Sequence, residues 1–229
     1  MMLIKIKSLF PVKFKTFIKK FRKFNGYNNL DKQMLNFINY ENGFFVDIGA
    51  NDGVNQSTTW YYEKTLNWNG ILIEPLPHIF KELKKNRSKQ NFYFNCAAVS
   101  REFKDEEIKI SHDEDSLTAQ IEKYETTNEN KKTISVKAKT IKKILNSVIS
   151  NKQKIDFFSL DVEGAEFEVL NGIDFDENKI NYFLIETSNF NRLKLFLEKK
   201  NFKFISRLSN YDLINLPDYG DYLFKNMRF

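Results

Sequence analysis

The feature that most constrains the fold is a rhythm of short apolar runs that alternate with amphipathic segments of helical length. The apolar runs are FFVDI (44–48), GILIE (70–74), FYFNCAAV (92–99), IDFFSLDV (155–162) and NYFLIE (181–186). The amphipathic segments cover residues 54–67, 76–88 and 165–172. Such runs are typical of strands buried on both faces, and their alternation with helices is typical of a parallel sheet. We therefore predict an α/β, doubly wound fold with a mostly parallel central sheet and helices on both faces.

Further elements surround this pattern. Residues 101–153 are rich in charge, and we interpret them as a β-rich insertion before the fourth strand, with strands at 106–110 and 134–139 and a helix near 140–149. The remaining predicted elements are a helix at 29–40, a helix at 191–200, and strands near 202–207 and 211–216 that would end the sheet as an antiparallel hairpin. At 229 residues the chain accommodates one well-packed domain, which we place at 29–229 after a basic segment at 1–28.

Charge is distributed unevenly along the chain. Residues 1–30 hold eight Lys or Arg and no acid, which leaves 28 basic and 30 acidic residues afterwards. The nearly neutral remainder is a poor surface for nucleic acid, so we exclude that partner. Interleaved basic and large apolar residues predict peripheral contact of residues 1–25 with an anionic membrane surface, and the alternative is a packing helix with a solvated basic face. No disulfide can form within a chain whose one cysteine is Cys96, and this favours the cytoplasm and the inner face of the membrane.

The first apolar run leads into DIGANDG, a strand-to-helix turn. Its candidate cofactor-binding residues are Asp47, Gly49, Ala50, Asn51 and Gly53. Glycines let the backbone approach a ligand closely, and open α/β sheets bind ligands at the carboxyl ends of their strands. An ordinary tight turn of Gly, Asn and Asp is the alternative.

The second run ends in Glu74 and Pro75, about twenty residues beyond the loop, where a carboxylate can hold both ribose hydroxyls of a nucleoside. The loop lacks the G-x-G-x-x-G triplet of dinucleotide sites and begins with an acid, so a pyrophosphate is disfavoured there. A sulfonium cofactor suits Asp47 instead. For Glu74 the alternative is a solvated carboxylate at a strand end.

The third run ends in small residues where a flat adenine could fit. We assign this role to Cys96 and Ala97, and we expect the Asn95 side chain to hydrogen-bond the edge of the base.

The fourth run ends in SLDVEGAE, which places Asp161 and Glu163 at the same crevice. These carboxylates could accept a proton from an alcohol, bind a divalent cation or stabilise the sulfonium, and Asp161 is also a candidate for the cofactor shell. Helix capping by acids is the alternative for Glu163. His112, in the insertion, is a further candidate base, and a surface-loop histidine is its alternative. The spacing of the acids leaves a metal site undecided.

The paired blocks DIGANDG…IEP and SLDVEGAE, in this order, resemble the FkbM-type methyltransferases over most of residues 43–187. The resemblance implies a Rossmann-like class I fold, S-adenosylmethionine as donor, and O-methylation, often of sugars in polysaccharides, glycolipids or glycosides. It places the family's cofactor loop on Asp47 to Gly53, its ribose acid on Glu74, and its acidic strand end on Asp161 and Glu163.

We therefore predict methyl transfer from S-adenosylmethionine to a hydroxyl of a sugar-containing acceptor. The alternatives are a lipid, protein or metabolite acceptor, a non-catalytic nucleoside-binding module at a membrane, and a dinucleotide oxidoreductase, which the missing glycine triplet disfavours. Neither the acceptor nor the oligomeric state follows from the sequence.

Overall fold

The structure is a computed structural model that describes residues 20–112, 119–121, 132–149, 153–209 and 217–229, excepting the side chains of 112 and 119–121. The strands are β1 (Phe44–Ile48), β2 (Asn69–Ile73), β3 (Phe92–Phe94), β4 (Ala97–Val99), β5 (Glu107–His112), β6 (Ala119–Ile121), β7 (Lys132–Thr140), β8 (Lys154–Leu160), β9 (Lys179–Thr187), β10 (Phe202–Arg207) and β11 (Gly220–Asn226). The α-helices are α1 (Leu30–Met34), α2 (Trp60–Leu66), α3 (Pro77–Asn86), α4 (Ile141–Asn146), α5 (Glu166–Asn171) and α6 (Phe190–Glu198), and a 3-10 turn (Tyr27–Asn29) precedes α1.

Seven strands form the central sheet in the order β10-β11-β9-β8-β1-β2-β3. The five neighbouring strands β3, β2, β1, β8 and β9 pair in parallel. Strand β11 pairs antiparallel with both β9 and β10. The strand order reverses between β1 and β8, the switch point at which open α/β sheets bind ligands. This topology confirms the predicted doubly wound, Rossmann-like fold, and the sheet ends in an antiparallel pair formed by β10 and β11.

Each face of the sheet packs against its own helices because successive side chains of a strand point to opposite faces. In β1, Val46 and Ile48 belong to one apolar cluster, which also contains buried residues of α4, α5 and α6. Phe45 belongs to a second cluster with buried residues of α1, α2 and α3. Helices therefore cover both faces, as predicted.

The predicted insertion supplies three strands of a second sheet, whose order is β4-β7-β5-β6, and β4, which precedes the insertion, completes it. Its side chains Ile110 and Val136 pack in a small apolar cluster with Leu76 and Ala165, which follow the carboxyl ends of β2 and β8. The small sheet thus covers part of the edge at which the strand ends meet.

Two boundaries differ from the sequence prediction. The run at 92–99 is two strands, because β3 pairs with β2 whereas β4 pairs with β7, and the chain changes sheet at Asn95. The helix predicted at 54–67 begins only at Trp60. Asp52 accepts hydrogen bonds from the N–H groups of Val54 and Asn55, and Gln56 has a φ of 58°, so this stretch is a turn.

The chain ends also differ in detail. The helix predicted at 29–40 ends at Met34 and continues as turns, although Ile38 stays fully buried. The strand predicted at 211–216 lies outside the described residues, and the last strand is instead β11. Within the part of the chain that the structure describes, no helix has the length and apolar character needed to cross a membrane.

Candidate functional site

Two adjoining cavities open at the carboxyl edge of the central sheet. Both are lined by the five residues Gly49, Asn51, Gln56, Asp161 and Glu163, which therefore form the boundary between them. The boundary lies between the ends of β1 and β8, at the switch point of the sheet. A ligand can thus extend from one cavity into the other.

The first cavity, which we call the apolar cavity, has mostly small or apolar walls. The lining residues include Ile73, Cys96, Ala97, Ala98 and Ile110. Burial raises the pKa of the Cys96 thiol to about 11, so the group stays protonated and acts as part of an apolar wall. Cys96 and Ala97, which the sequence predicts to lie against a flat base, therefore both line this cavity, and their contact with a base stays a prediction.

Glu74 is the buried acid of the apolar cavity, and Pro75 lies beside it in the wall. One carboxylate oxygen accepts a hydrogen bond from the N–H of Leu76 at 2.8 Å, and the other accepts one from the N–H of Asn51 at 3.0 Å. Burial raises the pKa of Glu74 to about 7, although these two N–H groups lower it. Each oxygen has a second lone pair, so the carboxylate can accept two more hydrogen bonds from a diol.

The glycine loop brings β1 and β8 together. Gly49 has a φ of 77°, and a Cβ atom there would lie 1.8 Å from the carbonyl oxygen of Asp161, so only glycine fits. Ala50 and Asn51 follow it along the wall of the second cavity.

Two predicted cofactor residues have other contacts in the structure. Gly53 lies against α3 rather than a cavity, because a Cβ atom there would come within 2.6 Å of Arg87 and Leu83 side-chain atoms. The Asn95 amide donates to the carbonyl oxygens of Glu74 and Pro75 at 2.8 and 2.9 Å, and Asn95 is not among the residues that line the apolar cavity. Gly53 admits the end of α3, and Asn95 positions the chain after β2. The expected contact of Asn95 with a base is therefore not supported by its geometry.

The second cavity, which we call the acidic cavity, contains five carboxylates. These are Asp47, Asp161, Glu163, Glu186 and Asp221. Among the described residues that line it, none is Lys, Arg or His. Oxygen atoms of Asp161, Glu163 and Glu186 lie within 4.8 Å of one another. The cavity therefore attracts a cationic group by long-range and local electrostatics.

Asp161 is the central acid of this cavity. Enclosure within the crevice, followed by the charges of Glu186 and Glu163, raises the pKa of Asp161 well above its usual range. Since the Asp161 side chain is exposed to the cavity, the neighbouring charges are the stronger physical cause. A carboxylate with a raised pKa is a better proton acceptor than an ordinary one, so Asp161 suits the role of a general base.

Glu163 is held in a rare backbone conformation. Its φ of 49° is followed by a φ of 97° at Gly164, and the Gly164 N–H donates to the carboxylate of Glu166 at 2.7 Å. The capping alternative therefore describes Glu166, whereas Glu163 lines both cavities. Left-handed backbone at a non-glycine residue is often found at functional sites.

Sequence reasoning missed Glu186, Asp221 and Tyr219. Glu186 is near the carboxyl end of β9, and the signal that indicated Glu74, an acid at the end of an apolar run, was present in NYFLIE. Asp221 is at the start of antiparallel β11, so its position became evident only with the sheet. The Tyr219 hydroxyl donates to the Glu186 carboxylate.

These cavities lie largely within a region that sequence comparison assigns. The family model for the Methyltransferase FkbM domain matches residues 47–205. The chain belongs to the FkbM methyltransferase family. Its glycine loop, Glu74, the Asp161 strand end and the insertion all fall inside the matched region of the methyltransferase domain.

Comparison with solved structures gives remote similarities. The Methyltransferase FkbM from Methylobacillus flagellatus KT is 13% identical with a TM-score of 0.48, over 83% of this chain and 45% of that chain. The Precorrin-6y C5,15-methyltransferase from Geobacter metallireducens GS-15 is 9% identical with a TM-score of 0.44, over 86% of each chain. The chain thus spans less than half of the FkbM structure's length. No curated protein matches the sequence.

Two expectations about the methyltransferase site stay predictions. The carboxylate oxygens of Asp161, Glu163 and Glu186 are the ligand type that Mg²⁺ and Ca²⁺ prefer, and acidic clusters of this kind are also common without a metal. His112 ends β5, and its side chain lies outside what the structure describes.

Proposed function

We propose that this FkbM methyltransferase transfers a methyl group from S-adenosylmethionine to a hydroxyl oxygen of a sugar-containing acceptor. The observation that supports this most is the pair of joined cavities, one apolar with a buried carboxylate and one acidic. S-adenosylmethionine has a flat base, a ribose diol and a cationic sulfonium in this order. The base and ribose match the apolar cavity with its buried carboxylate, and the sulfonium matches the acidic cavity.

The residues of the apolar cavity fit the nucleoside. Cys96, Ala97 and Ala98 would hold the adenine, and the two oxygens of Glu74 would accept hydrogen bonds from the ribose hydroxyls. The donor then continues past Gly49 to the acidic cavity, where carboxylates stabilise its positive charge.

The acceptor occupies the remaining part of the acidic cavity. Its lining also includes amide, hydroxyl and aromatic side chains, namely Asn55, Gln56, Ser57, Thr58, Ser159, Tyr27 and Tyr219. Amides and hydroxyls can both donate and accept hydrogen bonds, and aromatic rings pack against the faces of sugar rings. A polyhydroxylated acceptor therefore suits this cavity better than an apolar one.

The proposed chemistry assigns the proton to Asp161. Bound S-adenosylmethionine supplies an electrophilic methyl carbon and a neutral thioether leaving group. The acceptor oxygen forms the new bond to this carbon as the carbon–sulfur bond breaks, and its proton passes to a carboxylate oxygen of Asp161. The cavity holds the two reactants in line, which supplies much of the acceleration.

The proposal is tested first by calorimetry of the purified protein with S-adenosylhomocysteine and with NAD. We expect binding of S-adenosylhomocysteine alone. Binding of NAD alone would indicate an oxidoreductase, and the absence of both would refute the assignment of the apolar cavity. Labelled S-adenosylmethionine, incubated with saccharides, glycolipids, lipids, proteins and metabolites in separate reactions, then identifies the acceptor. Donor binding without label transfer to any class would favour a non-catalytic nucleoside-binding module.

A divalent metal could share the acidic cavity. If Mg²⁺ is bound by Asp161, Glu163 and Glu186, a chelator abolishes label transfer and magnesium restores it. An unchanged rate in the chelator leaves Asp161 as a metal-independent base.

We also propose that residues 1–25 bind an anionic membrane surface on its cytoplasmic side. The end of this segment is attached to the domain, because buried Asp31 accepts hydrogen bonds from the N–H groups of Asn25 and Gly26 at 2.7 and 3.0 Å. Tyr27 and Leu30, just beyond this junction, line the acidic cavity. A membrane-bound segment would therefore bring the acceptor side of the site close to the lipid surface, where glycolipid headgroups lie.

Binding of residues 1–25 to a membrane is tested by sedimentation with vesicles of anionic and of neutral phospholipid. The full chain should pellet with the anionic vesicles only, and a variant with Lys13, Lys15 and Lys19 changed to Glu should stay in solution. A control variant reverses three exposed lysines elsewhere, Lys179, Lys199 and Lys203. Equal pelleting of both variants would contradict the proposal.

A further inference from the structure

A fully buried arginine lies behind the glycine loop. The Arg87 side chain donates to the Glu63 carboxylate at 2.7 Å and to the Gly53 carbonyl oxygen at 3.3 Å. Two more of its N–H groups donate to the Thr59 hydroxyl oxygen, each at 3.1 Å. Arg87 therefore ties α2 and the end of α3 to the loop. Its charge acts on Asp47 through space, and a hydrogen-bond path to that carboxylate runs through one intervening residue.

Thr59 is that residue. Its hydroxyl is fully buried and donates to a carboxylate oxygen of Asp47 at 2.6 Å. A hydroxyl has a single proton, so in this arrangement it gives that proton to Asp47 and accepts from Arg87. Polarisation by the guanidinium strengthens the hydrogen bond to Asp47.

Asp47 is buried at the wall of the acidic cavity, where an ionised carboxylate is costly. Burial raises the pKa of Asp47, whereas the Arg87 charge and the Thr59 hydrogen bond lower it. The other charged groups near it are the acids Asp161 and Glu74, which oppose its ionisation. Arg87 and Thr59 thus supply the stabilisation that favours the charged form.

We propose that Thr59 is a positioning residue for the methyl donor, because its hydroxyl links Arg87 to Asp47 by hydrogen bonds and fixes that carboxylate toward the cationic end of the ligand. The inference rests on the proposed donor site. Thr59 is not among the described residues that line either cavity, so the inference extends the donor site to a residue behind the cavity wall.

The test compares Thr59→Val, which keeps the shape and removes the hydroxyl, with Thr59→Ser, which keeps the hydroxyl. Calorimetry at pH 7 should show S-adenosylmethionine binding about tenfold weaker in Thr59→Val. Binding by Thr59→Ser should stay within about threefold of the wild type. The control is Thr140→Val, which removes a helix-capping hydroxyl that accepts from the Lys143 N–H, at a residue that lines neither of the two cavities. Thr140→Val should lower the midpoint of unfolding without weakening binding of the ligand.

The pH dependence separates positioning from general destabilisation. Without the Thr59 hydroxyl the pKa of Asp47 rises, so the loss of affinity in Thr59→Val should be larger at lower pH and should shrink as the pH rises. Glu74 and Asp161 are present in both proteins, so the pH dependence is read from the ratio of the Thr59→Val affinity to the wild-type affinity at each pH. Equal affinity of Thr59→Val and wild type at every pH would overturn the inference, as would an affinity ratio independent of pH. Failure of the wild type to bind would instead overturn the proposed function.

Discussion

The two ends of strand β8 each carry an aspartate, and the two residues have different surroundings. Asp156, near the start of the strand, accepts hydrogen bonds from the Phe44 N–H at 3.0 Å and the Tyr40 hydroxyl at 2.6 Å, and it pairs with Lys154 at 3.3 Å. Asp161, just past the other end, faces the carboxylates of the acidic cavity, and its enclosure there together with their charges raises its pKa.

The difference shows that an acid can either stabilise the fold or act as a base, depending on its neighbours. Asp156 joins β8 to β1 through hydrogen-bond donors, which compensate its burial. Asp161 lies among like charges, which destabilise its ionised form and make it a stronger base. The same residue type thus contributes stability at one end of the strand and reactivity at the other.

The strongest test of this comparison is Asp161→Asn. The amide cannot accept the acceptor's proton, so the rate of methyl transfer to the acceptor found for the wild type should fall roughly a hundredfold or more. Affinity for S-adenosylhomocysteine should stay within a few-fold. Because the change relieves repulsion among the acids, the free energy of unfolding at pH 7 should rise. Equal losses of rate and donor affinity would place Asp161 in the cofactor shell, and a normal rate would direct attention to Glu163 and His112.

A second test uses the pH dependence of stability. Glu74 has a folded-state pKa of about 7, above the usual value near 4.5, so the folded protein binds this proton more tightly than the unfolded chain. Its contribution is complete below the unfolded pKa and is lost as the pH rises through 7, by up to about 3 kcal/mol. Urea unfolding between pH 5 and 8 should show this decline in the wild type and a smaller one in Glu74→Gln. If the free energy of unfolding declined equally with pH in the wild type and Glu74→Gln, the raised pKa of Glu74 would not be its cause.

The third prediction applies the same contrast to ligand binding. Glu74→Ala should weaken S-adenosylhomocysteine by about 1.5–3 kcal/mol in calorimetry, because the ribose hydroxyls lose their acceptors. Glu82→Ala is the matched control, since Glu82 is exposed on α3 and pairs with Lys85. A comparable loss in both variants would show that the effect is not specific to the cavity.

The smallest effect is expected for Asp156→Asn, the reciprocal change at the start of β8. An amide offers one carbonyl oxygen where two donors now bind, so the free energy of unfolding should fall by about 1 kcal/mol. The methylation rate should remain that of the wild type. A reduced rate with unchanged stability would show that the two strand ends are not separable in function.

Much of the fold follows from local patterns. The apolar runs predicted β1, β2, β8 and β9 to within about two residues, because strands buried on both faces need continuous apolar sequence. The helix start at Trp60 was not evident, since an Asx turn and a left-handed residue replace the first turns of an amphipathic segment. The division of the run at 92–99 depended on which partner strands were available.

The sequence by itself determined that acids stand at the ends of buried parallel strands, and therefore that Asp47, Glu74 and Asp161 meet at one edge of the sheet. Only the tertiary structure decided what surrounds each of them. Asp221 joins the acidic cavity because β11 runs antiparallel, and Arg87 reaches Asp47 through Thr59 because α3 ends behind the glycine loop. These contacts join residues distant in the chain, so their charges and hydrogen bonds arise from packing that no local pattern encodes.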